Sequence, residues 1–249
     1  MQLTGKIALV TGGTRGIGAA TALALAKEGA DVAIVGRHLD DAARATRAAL
    51  LALGRRCEVI HADCAQPAEC IRCVKEAETK LGPVTVLVHC AGGPVNGGLF
   101  ELTPETWNAA FDVHVHAVFH LSRAVIPTMR AKKEGAIVLI SSVAGIRGVI
   151  TNPAYQVVKG ALPQFARALA REFAGDHVRV NCVAPGIIRT AFHAGMSEAQ
   201  KKLNLEQRIP LHREGTPEQV AEAILQLVKN DYITGETLTV DGGLTMRIA

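Results

Sequence analysis

Three polar side chains near the middle of the chain have the types and spacing needed for acid–base chemistry: Ser142, Tyr155 and Lys159. A spacing of four residues places the Tyr155 phenol and the Lys159 ammonium on the same face of a helix, one turn apart. A neighbouring ammonium favours the phenolate, so we expect the pKa of Tyr155 to lie below its usual value of about 10. Such a phenol can exchange a proton with a carbonyl or alcohol oxygen, which the Ser142 hydroxyl can hold and polarise. The three residues predict a catalytic site that interconverts a carbonyl group and a secondary alcohol.

A glycine-rich turn, residues 11–18 with the sequence TGGTRGIG, follows the first apolar run and opens a helix-forming run. Gly12 permits a tight turn, while Gly16 and Gly18 allow the backbone to approach a ligand and the helix to pack on the strand. The helix N-terminus then presents free N–H groups and a positive dipole end, which suit a pyrophosphate. We therefore predict that a dinucleotide binds here, with contacts from Gly12, Thr14, Arg15, Gly16, Ile17 and Gly18.

The end of the second apolar run indicates which dinucleotide is favoured. An acidic residue there would hydrogen-bond the ribose 2′-hydroxyl of NAD, but this chain has Arg37 at that point. Two guanidiniums, those of Arg37 and Arg15, favour a 2′-phosphate, so we predict NADP as the cofactor, with NAD as the alternative. Asp63 follows the third run, where it either meets the adenine amino group or caps the helix that begins near Pro67.

Short β-type runs alternate with helical patterns along the chain, and these elements must position the candidate residues. The β-type runs are near-continuous in Val, Ile, Leu and Ala, as in strands that are buried on both faces. They are Ile7–Thr11, Val32–Val35, Cys57–Ile60, Val84–His89, Ala136–Ser141, Val178–Val183 and Thr237–Val240. The helical patterns lie near residues 16–28, 39–53, 67–81, 104–131, 153–174 and 216–229. This order predicts an α/β Rossmann fold in a single domain over residues 1–249, with a seven-stranded parallel sheet and helices on both faces.

The longest stretch without a predicted strand or firm helix is residues 187–215, which contains seven Lys, Arg and His residues. Loops of this length inside a compact domain are usually lids or binding loops. We therefore expect a substrate lid at about residues 187–215, the alternative being a surface excursion without a role in binding.

Composition excludes several other classes of protein. With 249 residues, 49% of them hydrophobic, the chain can bury a full core, and its net charge of +4 is spread without a basic block. We expect no nucleic-acid partner, because such a partner requires clustered Lys and Arg with stacking aromatics. No apolar run approaches the roughly 20 residues that cross a bilayer, and no cleavable signal peptide is visible. We therefore expect a cytoplasmic protein without a membrane partner.

Six cysteines are crowded toward the middle of the chain. Cys70 and Cys73 have the spacing of zinc ligands, with Cys57, His61 and Cys64 nearby. They fall in a helical pattern, however, and no second cysteine pair stands at zinc-finger spacing. We expect reduced, buried thiols and no metal site.

The chain resembles the short-chain dehydrogenase/reductase family from about Lys6 to Gly243. The motifs that carry the resemblance are the glycine-rich turn, Asp63, segment 90–92, Ser142, Tyr155 with Lys159, and segments 179–181, 185–190, 233–236 and 241–243. The resemblance implies that Lys159 also binds the nicotinamide ribose, that Ile188 contacts the carboxamide and that Thr190 lies near the phosphates. It implies a homotetrameric assembly and further cofactor contacts from Cys64, Cys90, Ala91, Gly92, Pro185 and Gly186.

Three features depart from the usual pattern of that family. The helix after the fourth strand commonly carries an Asn that lines a water chain behind the Lys, and His114 stands at that position here. Imidazole donates, accepts and titrates near pH 6.5, so we predict that His114 replaces the Asn in a proton relay. The usual Asn-Asn-Ala-Gly run reads HCAG at residues 89–92, which weakens the polar contact at residue 90 to a thiol. Pro163 lies inside the helix of Tyr155, removes the bond to the Lys159 carbonyl at a cost of about 3 kcal/mol and predicts a local kink.

Within the family the chain looks most like 3-oxoacyl-[acyl-carrier-protein] reductases. We therefore expect NADP-dependent reduction of a 3-oxoacyl thioester on an acyl carrier protein, for which Arg147, Arg189, Lys201 and Lys202 would supply a basic entrance. The alternative substrate is a small secondary alcohol, a sugar or a cyclic alcohol, with NADP or NAD. A non-catalytic dinucleotide-sensing protein is a further alternative, motivated by the departures above and opposed by the intact catalytic residues.

Overall fold

The computed structural model describes residues 1–246, which contain one seven-stranded sheet in which all neighbouring strands are parallel. The strands are β1 (Ile7–Thr11), β2 (Asp31–Gly36), β3 (Cys57–His61), β4 (Val84–His89), β5 (Gly135–Ile140), β6 (Val178–Pro185) and β7 (Thr237–Val240). Their order across the sheet is β3-β2-β1-β4-β5-β6-β7. Strands β1, β4, β5 and β6 are buried along their whole length, which explains their near-continuous apolar sequences. The predicted α/β class, strand number and parallel pairing are confirmed.

Eight α-helices lie within residues 1–246: α1 (Gly16–Lys27), α2 (Asp41–Ala52), α3 (Pro67–Leu81), α4 (Pro104–Phe111), α5 (Ala117–Lys132), α6 (Pro153–Phe173), α7 (Glu198–Leu203) and α8 (Pro217–Lys229). The helix predicted over residues 104–131 is divided into α4 and α5 by a π-helical turn, Asp112–His116. Such a turn widens the helix locally and is often found at functional sites. In the part of the chain that the structure describes, no helix is long and apolar enough to span a bilayer.

Residues 187–215 contain regular structure, which differs from the prediction of a stretch without a firm helix. Helix α7 begins after Ser197, whose hydroxyl accepts the N–H of Gln200 and so caps the helix. A π-helical turn, Asn204–Arg208, continues from α7. The segment lacks a long apolar stripe because it is short, so its hydrophobic periodicity is too weak to predict a helix.

Two apolar layers cover the faces of the sheet. On one face α3, α5 and α6 pack on the strands through buried side chains such as Leu121 and Leu162. On the other face α1, α2 and α8 do the same through side chains such as Leu25 and Ile224. The burial of these side chains is the main favourable contribution to folding, and the prediction of helices on both faces is confirmed.

The cysteines near α3 lie in the apolar layer as free thiols. The Cys70 thiol donates to the Cys64 carbonyl at 3.2 Å, and the Cys73 thiol donates to the Cys70 carbonyl at the same distance. Burial raises the pKa of the Cys73 thiol to about 12, so this thiol stays protonated near neutral pH. Within the described residues, no three His, Cys, Asp or Glu side chains converge to hold a metal ion.

Helix α6, which carries two of the candidate catalytic residues, continues through Pro163 without ending there. Proline has no N–H, so the carbonyl of Lys159 has no backbone donor four residues further along. The hydroxyl of Ser141 donates to that carbonyl at 2.7 Å instead. Tyr155 and Lys159 therefore lie on one uninterrupted helix.

Candidate active site

The candidate residues gather at the carboxyl ends of the central strands, the edge at which open parallel sheets bind ligands. The glycine-rich turn follows β1, segment 89–92 closes β4, Ser142 follows β5 and segment 185–190 closes β6. The strand order changes direction between β1 and β4, which are neighbours in the sheet. Residues from four separate parts of the chain therefore meet at one edge.

The glycine-rich turn packs too closely on its neighbours to accommodate a side chain at Gly12 or at Gly18. Gly12 has a φ of +62°, and a Cβ there would lie 2.8 Å from the Cys90 carbonyl carbon and from the Ala91 nitrogen. A Cβ on Gly18 would lie 2.1 Å from the carbonyl oxygen of Gly12. Arg15, the N-cap residue of α1, makes no side-chain capping hydrogen bond, so the N–H groups of the first turn are left for a ligand. These features fit the pyrophosphate of a dinucleotide.

The segment after β6 approaches this turn from the other side. Pro185 ends β6, Gly186 follows, and Ile188 is buried. A Cβ on Gly16 would lie 3.5 Å from Cγ2 of Thr190, so the two segments are in van der Waals proximity. The residues that the family resemblance assigns to the nicotinamide end and to the phosphates therefore lie on the same edge as the glycine-rich turn.

The two arginines expected at the 2′-position differ in their contacts. The Arg15 guanidinium forms an ion pair with Asp40, and the pKa of that carboxyl is lowered by the Ala43 N–H and by Arg15. The side chain of Arg37 is exposed and makes no hydrogen bond or ion pair with any residue from 1 to 246. Thr14, on the glycine-rich turn, is buried. Sequence reasoning missed Asp40, because its approach to Arg15 depends on the path of the loop between β2 and α2.

The residues expected at the adenine end lie just after β3. The Asp63 carboxylate accepts the N–H of Ala65 at 3.0 Å, whereas the N-cap residue of α3 is Gln66. The alternative that Asp63 caps α3 is therefore wrong, because its carboxylate closes a turn before the helix begins. Cys64 is buried, and its carbonyl accepts the thiol of Cys70. Its side chain belongs to the apolar layer, so any contact of Cys64 with a ligand would have to come from its backbone.

Ser142, Tyr155 and Lys159 are brought together between the end of β5 and the first turns of α6. The Ser142 hydroxyl accepts the N–H of Ala144 at 3.2 Å and also interacts with the Tyr155 phenol. The Lys159 ammonium lies over the Tyr155 ring, 5.6 Å from the ring centroid. It donates a hydrogen bond of 2.8 Å to the carbonyl of Ile140, the last residue of β5.

Burial dominates the protonation of this site. It raises the pKa of Tyr155 to about 12, and the hydrogen bond to Ser142 offsets only part of the rise. It lowers the pKa of Lys159 to about 8. The expectation that Lys159 lowers the pKa of Tyr155 is therefore wrong for this structure. The ammonium lies over the ring and donates to Ile140, while exclusion of water penalises the phenolate.

His114 reaches the catalytic residues from the π-helical turn. Its ring is only 1% exposed and stands edge-on to that of Tyr155, with the ring centroids 5.9 Å apart. Nε2 donates to the Gly93 carbonyl at 3.1 Å, while Nδ1 is buried without a partner among the described residues. A Cβ on Gly92 would lie 2.2 Å from Cε1 of His114, so the ring occupies the space of a side chain at position 92.

The His114 imidazole is neutral at physiological pH. Burial lowers its pKa to about 2, and the nearby positive charge of Lys159 contributes in the same direction. The expectation that its charge titrates near pH 6.5 is therefore wrong. A neutral ring with Nε2 protonated offers Nδ1 as a hydrogen-bond acceptor inside the site.

His89 joins three segments around the site, a role that sequence reasoning missed. Its Nε2 donates to the Val113 carbonyl at 3.1 Å, so Nδ1 of the neutral ring accepts the hydroxyl of Thr11 at 2.8 Å. That hydroxyl in turn accepts the N–H of Ala91 at 3.3 Å. Burial lowers the pKa of His89 to about 4. The ring thus links β1, β4 and the π-helical turn that holds His114.

Residues 187–215 place an aromatic ring beside the catalytic tyrosine. The ring centroid of Phe192 lies 5.9 Å from that of Tyr155; a lone Phe in a loop carries no sequence signal for this contact. Three of the four basic residues expected at the entrance are ion-paired: Arg189 with Glu214 (3.3 Å), Lys201 with Glu198 (2.6 Å) and Lys202 with Glu206 (3.9 Å). The fourth, Arg147, donates to the carbonyl of Ile146. The expected basic entrance is therefore largely neutralised by acidic residues of the same segment.

The similarity of this chain to known proteins extends over nearly its whole length. A family model described as enoyl-(acyl carrier protein) reductase matches residues 12–245. A 3-oxoacyl-[acyl-carrier-protein] reductase from Synechocystis sp. is 38% identical over 98% of this chain and 98% of its own length.

Two solved structures share both fold and sequence with this chain. A blue fluorescent protein from a metagenomic library, in complex with NADPH, superposes with a TM-score of 0.91 at 34% identity, covering 98% of this chain and 100% of that one. A short-chain type dehydrogenase/reductase from Mycobacterium marinum superposes with a TM-score of 0.92 at 31% identity, covering 99% and 98%. The similarity thus includes both the glycine-rich turn and the region of Ser142, Tyr155 and Lys159.

Proposed function

Because this chain belongs to the short-chain dehydrogenase/reductase family of NAD(P)-dependent oxidoreductases, we propose that it uses NADP to interconvert a carbonyl group and a secondary alcohol, with Tyr155 as acid–base residue. The first substrate class that we propose is a 3-oxoacyl thioester on an acyl carrier protein. The main support for the proposal is that Ser142, Tyr155 and Lys159 lie at the same edge of the sheet as the glycine-rich turn.

Each catalytic side chain has a distinct role in this proposal. The Tyr155 hydroxyl donates a proton to the carbonyl oxygen in reduction and accepts it back in oxidation. A pKa raised to about 12 keeps the phenol protonated at neutral pH, which suits the reductive direction. The Ser142 hydroxyl donates a hydrogen bond to the same oxygen and holds it beside the phenol. Lys159, with a pKa of about 8, is mostly cationic at neutral pH, and its ammonium over the Tyr155 ring would bind the nicotinamide ribose beside the reacting groups.

The residues at the sheet edge fit a nicotinamide dinucleotide, which when bound supplies or accepts the hydride of the reaction. The glycine-rich turn and Thr190 would hold its phosphates, Lys159 and Ile188 its nicotinamide end, and Asp63 with the backbone of Cys64 its adenine. Further contacts would come from Cys90, Ala91, Gly92, Pro185 and Gly186.

The preference for NADP rests on the end of β2. Arg37 is exposed there and has no partner within residues 1–246, so its guanidinium can meet a 2′-phosphate. Asp40, three residues after Arg37, forms an ion pair with Arg15, which neutralises its negative charge. The similarity to a protein solved with NADPH agrees with this preference.

The ion pairs near the site support a second substrate class beside the carrier-bound thioester. The relatives named as 3-oxoacyl-[acyl-carrier-protein] reductases support a carrier-bound thioester. The ion pairs of Arg189, Lys201 and Lys202 reduce the positive charge that is available to an acidic carrier protein. They favour a small secondary alcohol, sugar or cyclic alcohol. In both cases residues 187–215 act as the lid, with Phe192 as an apolar wall beside Tyr155.

We also propose that His114 takes the place of the relay Asn. Its neutral ring is buried beside Tyr155, and its unpartnered Nδ1 can accept a hydrogen bond in the path that returns protons to the site. His114→Phe keeps a ring but removes both nitrogens, so we expect kcat to fall about tenfold, as for the loss of about 1.4 kcal/mol. His114→Asn should retain most of the activity. Equal loss in both variants would oppose the relay.

The assembly that we propose is a homotetramer. Large hydrophobic side chains are exposed on two helices that cover the same face of the sheet, Phe119 on α5 and Val157 on α6, which supports a further contact between copies of the chain. Light scattering on the purified protein should give a mass of four chains, and a monomeric mass would refute this.

Oxidation of NADPH, followed by its absorbance across a panel of carbonyl compounds, tests the proposed function. The panel contains a 3-oxoacyl group on purified acyl carrier protein, the same acyl group on a small thiol, small ketones and sugars. We expect the parental protein to turn over one of these classes of compound. We expect Tyr155→Phe to lose most of that turnover. Binding of NADPH without turnover on any member would indicate a dinucleotide-sensing protein instead.

A further inference from the structure

Lys159 is attached to the end of β5 at two points. Its ammonium donates to the Ile140 carbonyl at 2.8 Å, and its own backbone carbonyl accepts the hydroxyl of Ser141 at 2.7 Å. Ile140 and Ser141 are consecutive, and Ser142 follows them directly. Both attachments are buried.

The second attachment exists because of Pro163. In an α-helix the carbonyl of Lys159 accepts the N–H of the residue four positions later, which is Pro163 and has no N–H. A buried carbonyl without a donor destabilises a protein. Ser141, itself 2% exposed, supplies the missing donor from outside the helix.

The turn after Ser142 packs against the same part of α6, independently of this hydrogen bond. A Cβ on Gly145 would lie 2.6 Å from the carbonyl carbon of Lys159 and 2.7 Å from its oxygen. Backbone therefore contacts backbone at this point. A small rotation or translation of α6 would change the separation of both Lys159 and Tyr155 from Ser142.

We propose that Ser141 is a positioning residue: it replaces the backbone donor that Pro163 removes and so fixes Lys159 against the end of β5, at its working distance from Ser142. The inference rests on the proposed function, because the position of Lys159 matters for turnover only if Tyr155 exchanges a proton. Ser141 itself touches neither reacting atoms nor cofactor in this scheme. Its effect passes through the backbone of Lys159.

A double-mutant cycle on the full-length protein tests the proposal. Ser141→Ala should lower kcat between about tenfold and about a hundredfold, the effect of a displaced catalytic group, with KM for the carbonyl substrate changed less than about twofold. Adding Pro163→Ala to this variant restores an N–H at position 163 that can donate to the Lys159 carbonyl. The double variant should therefore recover most of kcat, although Pro163→Ala also removes buried atoms.

Ser122→Ala is the matched control. Ser122 is also 2% exposed, but its hydroxyl has no hydrogen-bond partner among residues 1–246. The same atoms are deleted at the same burial, so this variant should keep the parental kcat. Thermal denaturation of all variants separates loss of activity from loss of folding.

Each outcome decides the proposal. Recovery of kcat in the double variant supports positioning, and a double variant as slow as Ser141→Ala overturns it. Parental kcat in Ser141→Ala also overturns it. If Ser141→Ala does not fold, the double variant alone decides, since near-parental kcat supports the proposal and a loss of tenfold or more refutes it. A parental protein without turnover overturns the proposed function instead. The contact between Ser141 and Lys159 is then tested by Tm alone. It is refuted if the Tm changes of Ser141→Ala and Pro163→Ala simply add in the double variant.

Discussion

Replacement of Gly92 by alanine should damage this protein far more than the same replacement at its neighbour, Gly93. Gly92 has a φ of +144°, a conformation that residues with a Cβ rarely adopt. A Cβ on Gly92 would also lie 2.2 Å from Cε1 and 2.6 Å from Nδ1 of His114. A Cβ on Gly93 would meet nothing within 4 Å, and its φ is not positive. The two glycines therefore form a matched pair.

The magnitude follows from two costs. A side chain in this backbone conformation costs about 1–3 kcal/mol, and forcing extra atoms into a packed site costs about 1–3 kcal/mol. Their sum spans about 2–6 kcal/mol, with a midpoint of about 4 kcal/mol, and each 1 kcal/mol shifts Tm by about 2–4 °C in a domain of this size. Gly92→Ala should therefore lower Tm by about 8–16 °C. Gly93→Ala should change the free energy of unfolding by less than about 0.5 kcal/mol.

Thermal denaturation of both variants, together with the NADPH oxidation assay, provides the measurement. Because the His114 ring is edge-on to Tyr155, its displacement should also lower kcat in Gly92→Ala and not in Gly93→Ala. His114→Ala in the Gly92→Ala background removes the clashing atoms, so the double variant should be less destabilised than the sum of the single variants. Equal Tm values for Gly92→Ala and Gly93→Ala would refute the reasoning, as would full additivity in the double variant.

Three further predictions concern the chemistry, the cofactor and acid stability. Tyr155→Phe should lower kcat by about 10²–10⁴-fold, the contribution of general acid–base catalysis, with little change in the Kd of NADPH by fluorescence titration; parental kcat would contradict the acid–base role. Arg37→Ala should raise the Kd of NADPH about tenfold, as for one lost charged hydrogen bond, and leave that of NADH unchanged; equal effects on both would contradict a 2′-phosphate contact. His89 has a pKa of about 4 in the folded protein against 6.5 as the ordinary value, so the unfolded chain binds its proton first as pH falls. The contribution of His89 to stability should be fully present above pH 6.5 and should fall by up to about 3 kcal/mol between pH 6.5 and 4; His89→Asn should make this part of a urea-denaturation profile less steep, leaving the slope that His114 contributes, and an unchanged slope would contradict the assignment.

Several strands could be predicted to the residue from sequence. Ile7–Thr11, Val84–His89 and Thr237–Val240 have the predicted bounds, and the other four strands differ by one or two residues at one or both ends. Strands inside a doubly covered parallel sheet are buried on both faces, so they appear as short apolar runs bounded by polar residues and glycine. The order of such runs and helical patterns then leaves few topologies.

Prediction was poorer where structure depends on contacts between distant residues. The π-helical turn at Asp112–His116 interrupts the predicted helix. It was not predicted, because one extra residue in a single turn leaves the sequence on both sides with a helical pattern. The ion pair between Arg15 and Asp40 depends on a loop conformation. The pKa of Tyr155 was predicted with the wrong sign, since spacing along a helix says nothing about how much water the fold excludes.

The local pattern of this chain, by itself, determined the parallel sheet, the glycine-rich turn and the presence of Tyr155 and Lys159 one turn apart, because burial on two faces, small residues in a tight turn and helical periodicity act over a few neighbouring residues. Only the tertiary structure decided how these groups are used. It brought His114 against Gly92 and Tyr155, let Ser141 satisfy the carbonyl that Pro163 leaves free, and set the protonation of Tyr155 and Lys159. The physical reason is that packing, hydrogen-bond satisfaction and desolvation depend on residues that are distant in the chain and adjacent in space.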